Sequence, residues 1–172
     1  YYGEFNIFLR EDNSNKIIVD NLIEKGIYSK DGINPTGIAA PFYPFLLLLL
    51  IKLFGSSYKL VLVAIQIVLS IIIGLALFKI TERIFRSRTA GLISVVLYSI
   101  HAELAIGLTF NLRENAFFTF FLFLFVYILA DEKITTKKVM VAALLVALAN
   151  LIRPTGILLF GVLILWIFYY SW

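Results

Sequence analysis

The chain has 172 residues, of which 61% are hydrophobic and 16% aromatic, and its mean hydropathy is +0.94. A soluble domain has roughly 45–50% apolar residues, so this composition excludes a water-soluble globule and predicts a protein of the lipid bilayer. Cysteine is absent, which excludes disulfides and thiolate chemistry, and the net charge of +4 is better explained by membrane topology than by nucleic-acid binding.

Residues 1–40 form the largest polar stretch and are predicted to be an ordered, partly helical loop. Apolar residues recur at helical spacing in its middle, at Ile17, Ile18, Leu22 and Ile23. Gly26 follows as a helix stop, and residues 31–32 and 34–35 carry turn signals. The chain begins without Met or a signal pattern and ends within an apolar run, so we expect an internal piece of a longer membrane protein.

Residues 41–172 are predicted to be a membrane domain with one short apolar helix and five long ones. The short helix, 42–54, lies between Pro41 and Gly55. At ~1.5 Å per residue it reaches about 20 Å, well short of a hydrocarbon core of roughly 30 Å, so it is predicted to be interfacial or re-entrant. The five predicted spans cover approximately residues 60–79, 89–110, 115–130, 136–152 and 155–172.

The charges of the connectors predict the orientation of these helices. The basic residues of the connectors 79–88 and 131–138 are Lys79, Arg83, Arg86, Arg88, Lys133, Lys137 and Lys138. Because short basic loops stay in the cytoplasm, these connectors are predicted to lie inside and the turns 111–114 and 153–154 outside. If the short helix does not cross, residues 1–40 lie outside as well. In the competing topology the short helix spans the membrane, and residues 1–40 lie inside unless every basic connector is turned outward.

The predicted topology collects most of the unusual polar residues at the outer surface. They are Glu11, Asp12, His101, Glu103, Arg113, Glu114 and Arg153. Ionisable groups at membrane depth are costly and usually face a cavity, form pairs or serve a function. The planar fork of arginine binds phosphate, and a carboxylate acts as a general base or holds a metal. The set therefore suits a charged lipid-phosphate substrate.

Each of these residues also has a simpler interpretation. Arg113 and Arg153 fit interfacial anchors, and Glu114 fits a charge at a helix N-terminus. His101 fits a packing histidine, and Glu103 fits an ion pair with Arg113. The two loop acids fit a solvated surface. Two amides inside the predicted spans indicate hydrogen bonds between helices: Gln66 and Asn150.

The order of several short motifs is more specific than any one of them. In chain order they cover residues 21–29, 40–46, 53–55, 83–86, 100–103, 112–115 and 150–154. This succession resembles the polyprenyl-phosphate-sugar-dependent membrane glycosyltransferases of the GT-C class. The closest match is the protein O-mannosyltransferase-like group, which is glycosyltransferase family 39 with its bacterial and archaeal relatives, including the aminoarabinose transferases. The resemblance covers almost the whole chain.

The resemblance implies roles for particular residues. In that family an acid of the first extracytoplasmic loop is regarded as catalytic base or metal ligand; the register favours Glu11 here, whereas chemistry and residue type favour Asp12. Glu114 falls on the second acid of the family. Arg153-Pro154 falls on a basic-proline turn near the lipid phosphate. Residues 15–17 stand where the family usually has a tyrosine.

The implied protein is an all-α polytopic membrane enzyme with an extracytoplasmic loop, a short interfacial helix and five transmembrane helices. It would transfer a sugar from a polyprenyl-phosphate donor to a lipid, glycan or protein acceptor on the extracytoplasmic face. The predicted catalytic residues are Asp12, Glu11 and Glu114. The predicted substrate-binding residues are Arg153, Arg113, His101 and Glu103. Membrane lipids are further expected partners, and nucleic acid is not.

A divalent cation is a cofactor that the resemblance allows without requiring, because the chain has no His or Cys ligand set and the relatives differ. Two other functions remain open at this point. A transporter or channel fragment would carry its charges near the bilayer midplane, at broken helices. A non-catalytic relative of the family would serve as a membrane scaffold.

Overall fold

Helices account for almost all of the structure. The computed structural model describes residues 10–11, 13–37, 39–101, 107–131 and 135–171. Within these ranges lie seven α-helices of 13 to 28 residues: α1 (Asn13–Lys25), α2 (Phe42–Phe54), α3 (Tyr58–Phe85), α4 (Arg88–Ile100), α5 (Asn115–Leu129), α6 (Thr136–Ile152) and α7 (Ile157–Ser171). The helical class predicted from the sequence is therefore confirmed.

Local sequence signals set several helix ends. Gly26 (φ 70°) follows α1 and Gly55 (φ 54°) follows α2, both in the left-handed region that glycine adopts without steric cost. Ser87 and Thr135 cap the N-termini of α4 and α6, each accepting a hydrogen bond from the backbone N–H three residues later, at 3.3 and 3.4 Å. A 3-10 turn, Gly55–Ser57, links α2 to α3.

The predicted span 89–110 differs from what the structure describes. α4 ends at Ile100, and His101 follows in an extended conformation (ψ 101°). Residues 107–110 are helical again. The 13 residues of α4 reach only about 20 Å at ~1.5 Å per residue. Two predicted site residues, Asp12 and Glu103, lie outside the described residues.

One helical stretch of the described chain is long and apolar enough, by length and composition, to cross a membrane. It runs over Phe42–Phe85, 44 residues that comprise α2, the 3-10 turn and α3. Shorter apolar helices follow at Arg88–Ile100, Asn115–Leu129 and Pro154–Tyr169. The five separate crossings and the interfacial position of α2 therefore stay predictions.

A pair of two-residue strands departs from the all-α prediction. β1 (Arg10–Glu11) pairs in parallel with β2 (Asn111–Leu112), with Arg10 opposite Asn111 and Glu11 opposite Leu112. Two residues are too few to show the alternation that identifies a strand in a sequence. The pairing brings the backbone of the N-terminal loop beside the turn that precedes α5.

The largest cluster of buried side chains joins the elements that carry the polar residues. It draws on α1, α2, α3, β2, α5 and α6, through Val19, Tyr43, Leu47, Leu50, Tyr58, Leu62, Val63, Leu112, Phe117 and Ile152. Two smaller clusters pack α5 against α6 and α7, and α3 against α4 and α5. Burial of this apolar surface, at roughly 25 cal/mol per Å², fixes the elements relative to one another.

Each of the two ends of the helices has its own set of polar contacts. At the basic end, which comprises connectors 79–88 and 131–138, Arg83 of α3 donates to the Tyr127 hydroxyl at 2.9 Å. Asp131 lies 4.0 Å from the Arg83 guanidinium and 2.7 Å from the Lys138 ammonium. At the loop end, the N-terminal loop meets the turns that precede α5 and follow α6. The two basic connectors thus share one end, as the predicted topology requires.

This arrangement generates a test of orientation. Single cysteines replacing Glu24 in α1 and Thr89 in α4, both exposed, are expected to react from opposite sides of the membrane. A membrane-impermeant maleimide added to intact cells should label Glu24→Cys, and Thr89→Cys only after permeabilisation. The chain has no other cysteine to confuse the result. Labelling of both variants from outside would contradict the topology.

Candidate functional site

Glu114 lies where the chain passes from β2 into α5. It occupies the N-cap position of that helix, and its carbonyl oxygen accepts the Phe118 N–H at 3.0 Å. A negative charge is favourable there because the helix N-terminus carries a partial positive charge. The side chain is 18% exposed. The helix N-terminus thus accounts for a negative charge at this position, but it does not account for where the Glu114 carboxylate points.

Arg153 lies in the turn between α6 and α7. It is extended (φ −143°, ψ 131°), the conformation imposed on a residue that precedes proline, here Pro154. The 3-10 turn Pro154–Gly156 follows, and the Gly156 N–H donates to the Arg153 carbonyl at 2.8 Å. Gly156 packs tightly, since a Cβ built on it would lie 2.6 Å from the Asn150 backbone nitrogen. The turn therefore fixes the base of the Arg153 side chain.

The two residues form an ion pair across 39 positions of sequence. The Nη2 and Nε atoms of Arg153 each lie 3.4 Å from Oε1 of Glu114. The other carboxylate oxygen, Oε2, accepts a hydrogen bond from Nδ2 of Asn15 in α1 at 3.5 Å. The Arg153 guanidinium also lies 5.9 Å from the centre of the Phe118 ring, within cation–π range. Three distant segments thus meet at one carboxylate.

A polar cavity of about 470 Å³ opens beside this ion pair. Its polar lining comes from the loop, from α2 and from both turns, through Ser14, Asn15, Lys30, Tyr43, Glu114, Arg153 and Thr155. Among these described side chains two cations face one carboxylate, so the lining carries a net positive charge. A cavity with that charge suits an anionic group such as a phosphate.

A second cavity, of about 310 Å³, lies on another side of the same arginine. Asn111, Asn115, Phe118 and Thr119 line it together with Arg153. Arg153 is 43% exposed and contributes to both cavities. Its guanidinium, which has five N–H donors, therefore has the capacity to bind a ligand while it remains paired with Glu114.

A tyrosine of the loop holds one wall of the polar cavity. The Tyr28 hydroxyl lies 3.2 Å from the carbonyl oxygen of Ala39 and 3.4 Å from that of Ala40, and both alanines line the cavity. The Tyr28 ring stacks on Phe45 of α2 with 5.9 Å between centroids. Burial raises the pKa of Tyr28 above its usual value, so the hydroxyl stays protonated, and able to donate to these carbonyls, to a higher pH than an exposed tyrosine.

The loop beside Lys30 is organised by an aspartate. The Asp31 carboxylate accepts hydrogen bonds from the Ser29 hydroxyl at 2.6 Å and from the backbone N–H groups of Ile33 and Asn34 at 2.9 and 2.8 Å. These donors hold the pKa of Asp31 well below its usual range, first through Ser29. The turn that carries Lys30 to the cavity is therefore held by charge-assisted hydrogen bonds.

The structure brings together only some of the residues predicted for the site. Glu114 and Arg153 meet, and strand pairing places the backbone of Glu11 opposite Leu112. Arg113 is half-buried, its Nε has no hydrogen-bond partner among the described residues, and it is absent from the described lining of both cavities. His101 is exposed after α4 and is also absent from that lining. The roles predicted for all of them stay predictions.

Sequence reasoning missed Asn15, Lys30 and Thr155, because single polar residues in a loop or turn carry no pattern that distinguishes them from solvated surface. Of the two amides predicted to join helices, Gln66 is buried and donates to backbone carbonyls of the turn before α5 instead. The side chain of Asn150 is exposed. Its backbone, not its amide, makes the close contact with the following turn.

A family model described as dolichyl-phosphate-mannose-protein mannosyltransferase matches residues 38–171. The match covers more than three quarters of the chain and contains both members of the ion pair. The comparisons with curated proteins and with solved structures give no significant match.

The close packing of Gly156 predicts the effect of adding one methyl group. Gly156→Ala is expected to lower the free energy of unfolding by about 1–3 kcal/mol, because the new Cβ meets backbone that cannot rotate away. Gly161→Ala in α7 is the matched control, since nothing lies within 4 Å of its added Cβ, and it should be neutral or stabilising by up to ~1 kcal/mol. Equal thermal unfolding of the two variants in detergent would show that the turn tolerates a Cβ.

Proposed function

This chain belongs to the dolichyl-phosphate-mannose-protein mannosyltransferase family, and within it we propose that the protein transfers a sugar from a polyprenyl-phosphate donor to a lipid, glycan or protein acceptor. The family is one of membrane-bound GT-C glycosyltransferases that depend on polyprenyl-phosphate-linked sugars. The fold class, the membrane attachment and the class of donor follow from that membership. The acceptor, the reacting face and the roles of individual residues are part of the proposal.

The observation that supports the proposal most directly is the ion pair at the rim of the polar cavity. Glu114 and Arg153 contact each other at 3.4 Å and both line the cavity, where Lys30 adds a second cation. A phosphate entering there would meet Arg153 and Lys30, while the Glu114 carboxylate would repel it from one side. The charges thus favour one orientation of a sugar phosphate, with its phosphate toward the cations.

The proposed reaction exchanges one bond to the anomeric carbon for another. The oxygen of the acceptor hydroxyl attacks C1 of the donor sugar. The bond between C1 and the phosphate oxygen breaks, and the lipid phosphate leaves with the electron pair of that bond. The hydroxyl proton passes to the carboxylate of Glu11 or Asp12, acting as general base. The strand pairing supports this role, because it brings the loop backbone at Glu11 to the turn that carries Glu114.

Two further residues would act on the donor. Glu114 would orient the sugar, since its carboxylate is held on both sides by Asn15 and Arg153. Arg153, together with Lys30 on the same cavity, would stabilise the second negative charge that develops on the departing phosphate, whereas Arg113 does not line the described cavity. Stabilisation of a leaving group by fixed cations is electrostatic catalysis, which is most effective where water is excluded.

A divalent cation is not required by these steps. Among the described residues no three His, Cys, Asp or Glu side chains group as they would around a metal ion. The carboxylate of Glu114 and the loop acids Glu11 and Asp12 are the oxygen ligands that such an ion would use.

We place the reaction on the extracytoplasmic face. The cavity lies at the loop end of the helices, and the connectors at the opposite end carry the basic residues that keep short loops in the cytoplasm.

The proposal predicts a large loss of turnover when Glu114 loses its charge. Glu114→Gln keeps the shape of the side chain and should reduce sugar transfer from polyprenyl-phosphate-mannose by about 10²-fold or more, the usual size of an acid–base or orienting contribution. Arg153→Lys should reduce it about 10-fold, because a point charge does not reproduce a bidentate fork. Transfer is measured with the purified protein in lipid vesicles, alongside thermal unfolding.

Two variants at the basic end serve as matched controls. Glu82→Gln and Arg88→Lys make the same chemical changes away from the cavity and should retain wild-type transfer. Wild-type turnover in both Glu114→Gln and Arg153→Lys, with unchanged unfolding, would contradict the proposed site. It would show that transfer does not depend on these two side chains.

A further inference from the structure

Gln66 is a fully buried amide inside the long apolar helix α3. Burial of an amide without partners is costly, and its Nε2 accordingly donates to the carbonyl oxygens of Asn111 and Arg113, each at 3.2 Å. Both acceptors are carbonyls, so the amide nitrogen, not the amide oxygen, must face them. The orientation of the side chain is thereby fixed.

Both carbonyls belong to the turn that carries Glu114. Asn111 is part of β2 and lies opposite Arg10 of β1, while Arg113 immediately precedes Glu114. The Arg113 N–H also donates to the Asn111 carbonyl at 2.7 Å, which closes the turn on itself. A single side chain of α3 therefore holds the strand that pairs with the N-terminal loop and the residue from which Glu114 projects.

Gln66 itself lies inside the helix packing, whereas the two hydrogen bonds that it makes are partly buried. Gln66 is about 12 Å along the axis of α3 from Tyr58, at ~1.5 Å per residue, and its neighbours on the same face, Leu62 and Val63, belong to the main buried cluster. A partly buried carbonyl group that loses its hydrogen-bond donor is costly. Gln66 thus holds the turn from the buried face of α3.

We propose that Gln66 is a positioning residue for Glu114: its two hydrogen bonds hold the turn so that the carboxylate lies between Asn15 and Arg153. This inference rests on the proposed role of Glu114. The carboxylate contacts are 3.4 and 3.5 Å long, at the upper limit for hydrogen bonds, so a shift of the turn by less than an ångström would break them. Misplacement of about 1 Å is enough to reduce turnover by up to ~10²-fold.

The test removes both donors while keeping the length of the side chain. In the intact protein, Gln66→Met should lower kcat for transfer from polyprenyl-phosphate-mannose at least ~10-fold. The KM for the donor should stay within about twofold, because Arg153 and Lys30 still supply the cations for its phosphate. A role confined to stability would lower the temperature of unfolding without this separation of kcat from KM.

The matched control lies one turn further along the same helix. The Ser70 hydroxyl lies 2.7 Å from the Tyr98 hydroxyl and joins α3 to α4 without touching the turn. Ser70→Ala should therefore lose a partly buried hydrogen bond and some thermal stability, as Gln66→Met does, but keep the wild-type kcat.

A cross-link gives a readout that does not depend on activity. Cysteines replacing Arg10 and Asn111, opposite each other in the strand pair, should form a disulfide on mild oxidation, since paired strands lie about 5 Å apart. The disulfide should form more slowly in the Gln66→Met background than in the Ser70→Ala background. Should Gln66→Met fail to accumulate, Gln66→Asn, which keeps the amide but is too short to reach both carbonyls, carries the same comparison.

The outcomes separate this inference from the proposed function. Unchanged kcat and unchanged cross-linking in the Gln66 variant, while Glu114→Gln is strongly impaired, would overturn the positioning role and leave the site intact. Full turnover in Glu114→Gln would overturn the proposed role of Glu114, and the role of Gln66 with it.

Discussion

Backbone carbonyl groups that are shielded from water need hydrogen-bond donors, and the partly buried turn before α5 has this need beside a bundle of aliphatic and aromatic helices. Gln66 meets it from α3, with two hydrogen bonds of 3.2 Å. Three features depend on the turn that results: the strand pair with the N-terminal loop, the start of α5 and the direction of the Glu114 side chain. The geometry of a candidate site at the edge of the bundle therefore depends on one amide, Gln66, in the interior of the bundle.

The second constraint is the free-energy cost of shielding a charged side chain from water among the same helices. Glu114 is 18% exposed, and a carboxylate with so little contact with water requires partners. It has the partial charge of the α5 N-terminus, the Asn15 amide and the Arg153 guanidinium. Arg153 is less buried, and Pro154 fixes its backbone in the extended form. The Glu114 carboxylate is therefore the more buried member of the ion pair, and the Arg153 guanidinium keeps N–H donors that can bind a ligand.

The sequence predicted those features that arise from long patterns. The apolar runs predicted the helices over 42–54, 115–130 and 136–152, and the helix stop at Gly26 agrees with α1. Contacts that depend on one side chain were not predictable. In the sequence, Gln66 indicated only that an amide within an apolar helix needs a hydrogen-bond partner. It did not indicate that the partner is the backbone of a turn. The strand pair, at two residues, carries no periodic signal, and Asn15 and Lys30 lack any pattern at all.

The N-terminal loop, which completes the cavity, is organised by hydrogen bonds of its own. Hydrogen bonds within the loop converge on Asp31, and Tyr28 ties its end to the carbonyls before α2. Two paired residues of a strand are too few to hold such a loop in place, so the buried side chains of α1, Ile18 and Val19, must supply most of the attachment. Attachment through apolar burial fixes position and leaves the polar groups of the loop available. Asn15 and Lys30 are consequently presented to the cavity by a loop whose attachment comes largely from apolar side chains elsewhere in it.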